Sequence, residues 1–176
     1  MITIGSTVGN YEVIAKLGSG AMGAVFLAEH PSIGKRVALK VIHSDLAANA
    51  EMVSRFFTEA RAVTQIQNDH IIDVQNYGQT PDGDNFIVME FLDGKGLGEI
   101  LKEKKILAVE QAIHIAWQVA DGLAASHERG IVHRDLKPDN IFIVQRSNDP
   151  LFVKILDTTR PGSARPTLPS TLPRTA

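Results

Sequence analysis

The sequence predicts a protein of the α+β class, in which a small antiparallel sheet with one helix is followed by a mainly helical part. Within residues 1–89, short segments that alternate apolar and polar side chains recur between turn residues, which is typical of half-buried strands. From residue 96 to residue 157, most apolar side chains fall three and four residues apart, which indicates helices.

Five strands and one helix are expected in the first part. The strand segments are residues 11–18, 24–30, 36–43, 71–78 and 85–91, with turn residues such as those at 31–35 and 81–84 between them. The helix lies between the third and fourth strands. Its apolar stripe consists of Met52, Phe56, Ala60, Val63 and Ile66.

The second part is expected to contain two helices and two short strands. The helices cover residues 97–105 and 109–130, with Gly130 where a helix C-cap is expected, and the strands cover 140–144 and 153–156. The buried face of the longer helix is predicted to consist of Ile113, Ala116, Trp117, Ala120 and Ala124. Residues 158–176 hold four of the eight prolines and no aromatic residue, so we expect a disordered tail.

The composition excludes several classes of protein. The chain has 176 residues, a formal net charge of -2 and no cysteine, which gives no reason to expect nucleic-acid binding and excludes disulfides and thiolate zinc sites. His30, His43, His114 and His127 show no metal-ligand spacing and are interpreted as surface or locally bonded side chains. Neither a signal peptide nor an apolar run of roughly 18 residues is present, so we expect a cytoplasmic protein without a membrane span.

A glycine motif lies between the first two expected strands. Gly18, Gly20 and Gly23 form a G-x-G-x-x-G pattern, which alone is compatible with an ordinary hairpin turn. A dinucleotide-binding turn would need a helix directly after the glycines and an acidic residue about 20 positions on. Here a strand follows, and Lys40 stands at that distance. The pattern therefore favours a hairpin that folds over phosphates, with a lysine on the next strand beneath it.

Lys40 has a candidate partner in Glu59. Lys40 alternates with apolar neighbours on a predicted central strand, where an unpaired ammonium would be costly to bury. Glu59 lies on the following helix beside its apolar stripe. A pair between them would hold the ammonium ready for nucleotide phosphates, although on its own Glu59 also fits a solvated helix glutamate.

A short loop between an apolar helix and an apolar strand concentrates polar groups. They are His133, Arg134, Asp135, Lys137 and Asn140. Loops that a rigid scaffold positions in this way commonly present reactive groups. The loop is therefore the main candidate for a catalytic site.

These segments resemble the motifs of the protein kinase family. HRDLKPDN matches the family's catalytic loop, and it follows GSGAMGAVF, VALK and the helix that carries Glu59 in the family's order, over residues 11–157. Lys137, within DLKPDN, is typical of the family's serine/threonine branch. The resemblance implies a two-lobed fold with an incomplete, mainly helical large lobe. It also implies an enzyme that transfers the γ-phosphoryl group of ATP to a serine or threonine hydroxyl of a protein, with Mg²⁺ bound.

The resemblance implies roles for individual residues. Asp135 would accept the proton of the substrate hydroxyl, and Lys137 would steady the transferred phosphoryl group. Asn140 and Asp157 would hold magnesium. Lys40 and Glu59 would form the ion pair beneath the phosphates.

The resemblance also implies the nucleotide contacts and the lobe boundaries. The residues implied to meet ATP are Leu17, Gly18, Ser19, Gly20, Ala21, Gly23, Val25, Ala38, Lys40, Met89, Glu90, Leu92 and Phe142. Taken alone, the apolar members fit core packing better. The small lobe would span residues 1–89, the hinge 90–95 and the partial large lobe 96–157, and residues 158–176 would lie outside the kinase fold.

The sequence departs from the family pattern after Asp157. The family has Asp-Phe-Gly there, whereas this chain has Asp157, Thr158 and Thr159, and neither an activation segment nor an A-P-E motif follows. This predicts a truncated or frame-shifted gene. Two other hypotheses stay open, a catalytically inactive pseudokinase fragment that binds ATP or a partner, and a gene remnant that folds poorly.

Overall fold

A computed structural model describes residues 2–20 and 22–156 of the chain. These residues form two compact units. The first contains residues 2–57 and 75–91 apart from residue 21, and the second contains residues 58–74 and 92–156. The tail at 158–176, together with Asp157, lies outside the described residues, so the prediction of disorder stays a prediction.

The first unit is built on a six-stranded antiparallel sheet. Its strands are β1 (Thr7–Val8), β2 (Tyr11–Ser19), β3 (Gly23–His30), β4 (Lys35–Ile42), β5 (Val74–Gln79) and β6 (Asn85–Glu90). They are arranged in the order β1-β2-β3-β4-β6-β5. Between β4 and β5 the chain forms a short helix, α1 (Ser44–Ala47), and a longer one, α2 (Ala50–Thr64). The five predicted strands and the predicted helix are thus present.

The predicted apolar stripe of α2 is confirmed. Phe56, Ala60 and Val63 are buried, as is Ile66 just after the helix, and Met52 is half-buried. The pattern could be read from sequence because these residues repeat at helical spacing, while most of the intervening positions are polar.

The two faces of the sheet carry different sets of apolar residues. One face holds the larger core cluster, which includes Val13, Phe26, Leu39, Val41, Phe86 and Val88. The other face holds a smaller cluster of Leu17, Val25, Leu27 and Ala38, against which Ala15, Met89 and Phe91 pack. Alternation along β3, β4 and β6 separates these sets, because successive side chains point to opposite faces. In β2 the register shifts between Val13 and Ala15, so that Val13 belongs to the larger cluster and Ala15 and Leu17 to the smaller one.

The second unit packs helices against a three-stranded sheet. Its helices are α3 (Leu97–Lys104) and α4 (Val109–Glu128), and its strands are β7 (Gly94–Gly96), β8 (Ile141–Arg146) and β9 (Asp149–Ile155), in the order β7-β8-β9. The segment before β5 pairs with β9, the edge strand of this sheet, through a parallel bridge between Ile71 and Ile155. His70 supports this edge, since its Nδ1 donates to the carbonyl oxygen of Val153 over 3.0 Å.

The predicted buried face of α4 is wrong. Ile113 and Trp117 are each 64% exposed, and Ala116, Ala120 and Ala124 are exposed too. The residues that α4 does bury are Ile115, Gln118, Val119, Gly122 and Ser126.

Hydrogen bonding and close approach select this other face of α4. The Gln118 amide accepts from the backbone nitrogen of Val153 over 2.9 Å and donates to the carbonyl oxygen of Leu151 over 3.0 Å. At Gly122 an added Cβ would lie 3.0 Å from the Ile155 side chain, so the helix lies close to β9 there. A polar glutamine and a glycine therefore mark the contact face, while a second apolar face lies open to solvent.

The end of α4 follows the prediction. Gly130 has a φ of +71° and its backbone nitrogen donates to the carbonyl oxygen of His127 over 2.9 Å, which is how a glycine terminates a helix. Among the helices of residues 2–20 and 22–156, none is both long and apolar enough to span a membrane.

Candidate functional site

The glycine motif forms a turn between β2 and β3. The backbone nitrogen of Gly20 donates to the carbonyl oxygen of Gly23 over 2.8 Å, which closes the turn. Gly23 is opposite Ile42 in the ladder between β3 and β4, and a Cβ at Gly23 would collide with the carbonyl oxygen of Val41. Position 23 therefore requires glycine because the neighbouring backbone occupies the space. Ala21, which was predicted to contact ATP, lies outside the described residues.

Lys40 shares a sheet face with four of the predicted adenine-contacting residues. Lys40 is opposite Val25 on β3 and Ile87 on β6, and Ala38 is opposite Leu27 and Met89. Directly opposed residues point to the same face. The half-buried lysine therefore lies on the face of the smaller cluster, together with Leu17, Val25, Ala38 and Met89.

The catalytic loop brings two of its predicted residues, Lys137 and Asn140, to the carboxylate of a third, Asp135. The ammonium of Lys137 donates to Oδ2 of Asp135 over 2.6 Å. The amide nitrogen of Asn140 donates to the main-chain oxygen of Asp135 over 2.8 Å and lies 3.2 Å from its Oδ2. Asn140 is fully buried, whereas Lys137 and Asp135 are half-buried. The loop thus presents a carboxylate that is flanked by a cation and an amide.

His133 ties this loop to the strand that precedes Asp157. Its Nε2 donates to the carbonyl oxygen of Leu156 over 2.9 Å, and its Nδ1 lies 3.4 Å from the backbone nitrogen of Asp135. A second tie runs from the backbone nitrogen of Leu156 to the carbonyl oxygen of Asn140 over 2.8 Å. His133 is 2% exposed. Sequence reasoning placed His133 in the loop without giving it this role, which no spacing pattern shows.

Arg134 has an unusual backbone conformation. Its φ is +59°, in the left-handed region that side chains with a Cβ rarely adopt. Such a conformation persists only where the surrounding contacts enforce it, and it is found preferentially at active sites. Arg134 stands between the buried His133 and the hydrogen-bonded Asp135.

The environment of Asp135 stabilises its ionised form. The hydrogen bond from Lys137 lowers the pKa of this carboxyl below its usual value of 3.8, against an opposing effect of desolvation. The Asn140 hydrogen bond and the charges of Lys137 and His133 lower the pKa further. Asp135 therefore stays a carboxylate at neutral pH and can accept a hydrogen bond from a hydroxyl.

The remaining predicted site residues are spread over both units. Ser19 ends β2 and Glu90 ends β6, while Leu92 is half-buried just beyond β6. Phe142 is 3% exposed on β8, and Glu59 is half-buried on α2. Their roles towards a nucleotide stay predictions.

The two residues predicted to hold magnesium, an asparagine and an aspartate, are of types that suit a hard divalent cation. Because the nitrogen of the Asn140 amide is directed to Asp135, the orientation of the amide is fixed, with its oxygen on the other side. Asp157, the other predicted ligand, is the first residue after the described segment and carries a carboxylate. Amide and carboxylate oxygens are the ligands that Mg²⁺ prefers.

Sequence comparisons point to one family. The profile of the protein kinase domain matches residues 11–164. The serine/threonine-protein kinase Pkn1 of Myxococcus xanthus is 46% identical over 154 residues, which are 88% of this chain and 22% of Pkn1. The serine/threonine-protein kinase pkn3 of the same organism is 40% identical over 155 residues, 88% of this chain and 28% of pkn3.

Structural comparison agrees. The crystal structure of the Mycobacterium tuberculosis PknI kinase domain superposes with a TM-score of 0.73 at 30% sequence identity, and the match covers 90% of this chain and 62% of PknI. This chain therefore spans less than a third of the length of each of the two curated relatives and under two thirds of the length of that solved domain.

Proposed function

Because this chain belongs to the protein kinase family, in its serine/threonine branch, we propose that it binds ATP and transfers the γ-phosphoryl group to a serine or threonine hydroxyl of a protein. The observation that carries the proposal is the cluster of Lys137, Asp135 and Asn140, in which a carboxylate is held ionised beside a cation. We further propose the lobe boundaries given above, with residues 1–89 as the small lobe, 90–95 as the hinge and 96–157 as part of the large lobe.

Asp135 is proposed to orient the attacking hydroxyl and to accept its proton. A carboxylate with a lowered pKa is a weak base, so its main contribution is to position the hydroxyl for attack, with the proton transferred late. Lys137, 2.6 Å from this carboxylate, brings a positive charge to the place where the phosphoryl oxygens gather negative charge. Both groups lie on one loop that His133 anchors, which supports precise positioning.

The residues proposed to hold magnesium are Asn140 and Asp157. When bound, the ion would neutralise charge on the phosphate oxygens of ATP. The buried Asn140 also holds the main chain of Asp135, so the same residue is proposed to link the metal position to the base position.

The first unit is proposed to bind the remainder of the nucleotide. The glycine turn offers backbone N–H groups to phosphates, and Lys40 offers a cation, with Glu59 as its proposed partner. The smaller apolar cluster, with Leu17, Val25, Ala38 and Met89, is the proposed surface for the adenine ring. ATP and a protein with a hydroxyl side chain are therefore the proposed partners.

A second candidate function is ATP binding without phosphoryl transfer. One observation favours it, which is that Thr158 and Thr159 stand where the family has the phenylalanine and glycine of Asp-Phe-Gly. Loss of that glycine changes the backbone freedom next to the proposed metal ligand.

The test is transfer of labelled phosphate from Mg·ATP to a general protein substrate, with Asp135→Asn as the inactive variant. We expect wild-type transfer and a loss of about 10²-fold or more in Asp135→Asn, because the proton acceptor is gone. Asp82→Asn, in the exposed turn between β5 and β6, is the matched control and should keep full activity. Magnesium-dependent ATP binding that Asp157→Ala abolishes, without transfer, would support the second candidate instead.

A further inference from the structure

His43 is hydrogen-bonded to the glycine turn. This residue follows directly on β4, and its side chain reaches a residue 23 positions earlier in the chain, where Nε2 donates to the carbonyl oxygen of Gly20 over 3.0 Å. Its backbone nitrogen donates to the carbonyl oxygen of Met22 over 3.1 Å. The same residue thus binds two carbonyl groups of the turn, one through the main chain and one through the ring.

These bonds hold a segment whose ordering costs much conformational entropy. Glycine loses more conformational freedom than any other residue when it becomes fixed, and the turn contains Gly20 and Gly23. Within the turn, the bond from the backbone nitrogen of Gly20 to the carbonyl oxygen of Gly23 closes the backbone on itself. A contact that orders the turn before a ligand arrives lowers the entropic cost of binding, and therefore raises affinity.

We propose that His43 is a positioning residue for the phosphates of ATP, because its Nε2–H···O=C bond to Gly20 holds the glycine turn in its phosphate-binding conformation. The inference rests on the proposed function of the turn. It concerns the phosphate end of the nucleotide alone, since the proposed adenine surface is the separate cluster around Leu17, Val25 and Ala38.

The chemistry of the bond defines which substitutions keep it. A carbonyl oxygen only accepts, so Nε2 must carry the proton. Glutamine can place an amide N–H near the position of Nε2 and keep the bond, whereas leucine fills similar space without a donor. Protonation at Nδ1 would leave the Nε2–H bond in place, so the contact persists in either charge state of the ring.

The experiment compares nucleotide affinities of the wild-type chain, His43→Leu and His43→Gln by calorimetry, with Mg·ATP and with adenosine as probes. We expect His43→Leu to weaken ATP binding about fivefold, the usual effect of one lost hydrogen bond, and to leave adenosine binding unchanged. His43→Gln should recover most of the ATP affinity. His30→Leu is the matched control, because His30 lies at the opposite end of β3 from the turn and should behave as wild type.

Any other result would contradict either the role of His43 or the proposed function of the turn. ATP affinity that is unchanged in His43→Leu, an equal loss for ATP and adenosine, or no recovery in His43→Gln would each overturn the role of His43. Melting curves of the ligand-free variants separate a loss of fold from a loss of phosphate binding. A folded wild-type chain that binds adenosine but not ATP, or neither, would instead refute the proposed phosphate-binding function, and the role of His43 with it.

Discussion

The glycine turn and the catalytic loop are constructed in opposite ways. In the turn, the groups proposed to meet phosphate are backbone groups, and at Gly23 the missing side chain is what lets β3 and β4 approach. In the catalytic loop the groups proposed to act are side chains, and the two that hold the loop, His133 and Asn140, are almost completely buried. The turn should therefore be damaged by added atoms, and the loop by removed hydrogen bonds.

The difference also extends to how each segment is anchored. The turn is anchored from the end of β4, by His43 and by contact with Val41. The loop is anchored by bonds that converge on Leu156 and Asp135, from His133 and Asn140. A buried hydrogen-bonded network loses stability when one member is removed, because the partner group is then left without a bond.

The largest change in stability is expected at the turn, from Gly23→Ala. The added Cβ would collide with the main-chain oxygen of Val41, and the backbone must shift to relieve it. We expect the free energy of unfolding to fall by about 3 kcal/mol, the upper range for overpacking. Urea denaturation measures the change, and ATP affinity should fall with it.

Gly78→Ala is the matched control in the same unit. A Cβ at Gly78 would lie 3.4 Å from the ring of Phe86, an ordinary contact, so this variant should keep or slightly gain stability. Equal stability of the Gly23 and Gly78 variants would show that the close approach at position 23 does not govern the turn.

A somewhat smaller effect is expected in the catalytic loop, from Asn140→Ala. Removal of the fully buried amide leaves the main-chain oxygen of the half-buried Asp135 without its donor, which should cost about 2 kcal/mol of unfolding free energy. Asn76→Ala, at an exposed position of β5, should change it by less than about 0.5 kcal/mol. If the two variants had the same stability, the loop would not depend on its buried hydrogen bonds.

Much of the fold could be predicted from sequence because the patterns are local. Alternation in residues 11–18 and 36–43 predicts one strand in each segment, and the stripe of Phe56, Ala60 and Val63 specifies a helix and its buried face. The kinase-like α+β fold that these elements and the motifs predicted is confirmed by the likeness to solved kinase domains.

The buried face of α4 could not be predicted, because both sides of this helix are apolar. Hydrophobicity favours the side that carries alanine, isoleucine and tryptophan as the buried face, and disfavours the side that carries Gln118 and Gly122. The face that packs is selected by two hydrogen bonds from Gln118 to the main chain of β9, which lies more than 30 residues away in sequence. A tertiary partner of this kind leaves no local signal.

The candidate site divides in the same way. The loop residues Asp135, Lys137 and Asn140 lie within six positions of one another in sequence, so that their proximity in the structure was predictable. The ring contact of His43 with Gly20 joins two distant segments and was not. The pairing of Lys40 with Glu59 and the role of Asp157 stay predictions.

The smallest effect concerns the charge balance at Asp135, and Lys137→Met isolates it. Loss of the Lys137 hydrogen bond and charge should raise the pKa of Asp135 towards its usual value of 3.8, as carbon-detected NMR titration of the carboxyl can measure. Lys95→Met is the control, because Lys95 pairs with Glu103 and should leave that pKa unchanged.

The sign of the pH dependence follows from the direction of that shift. A carboxyl whose pKa is lower in the folded state stabilises the fold above its unfolded value, and this contribution is lost as the pH falls through the folded pKa. The stability advantage of the wild-type chain over Lys137→Met should therefore be present at neutral pH and disappear in acid below about pH 3.8. A stability advantage that persisted unchanged in acid would mean that Lys137 stabilises the loop by packing and not by its charge. Of the side chains considered, Asn140 and His133 alone would then distinguish the loop, held by side-chain hydrogen bonds, from the turn, which is formed by backbone groups.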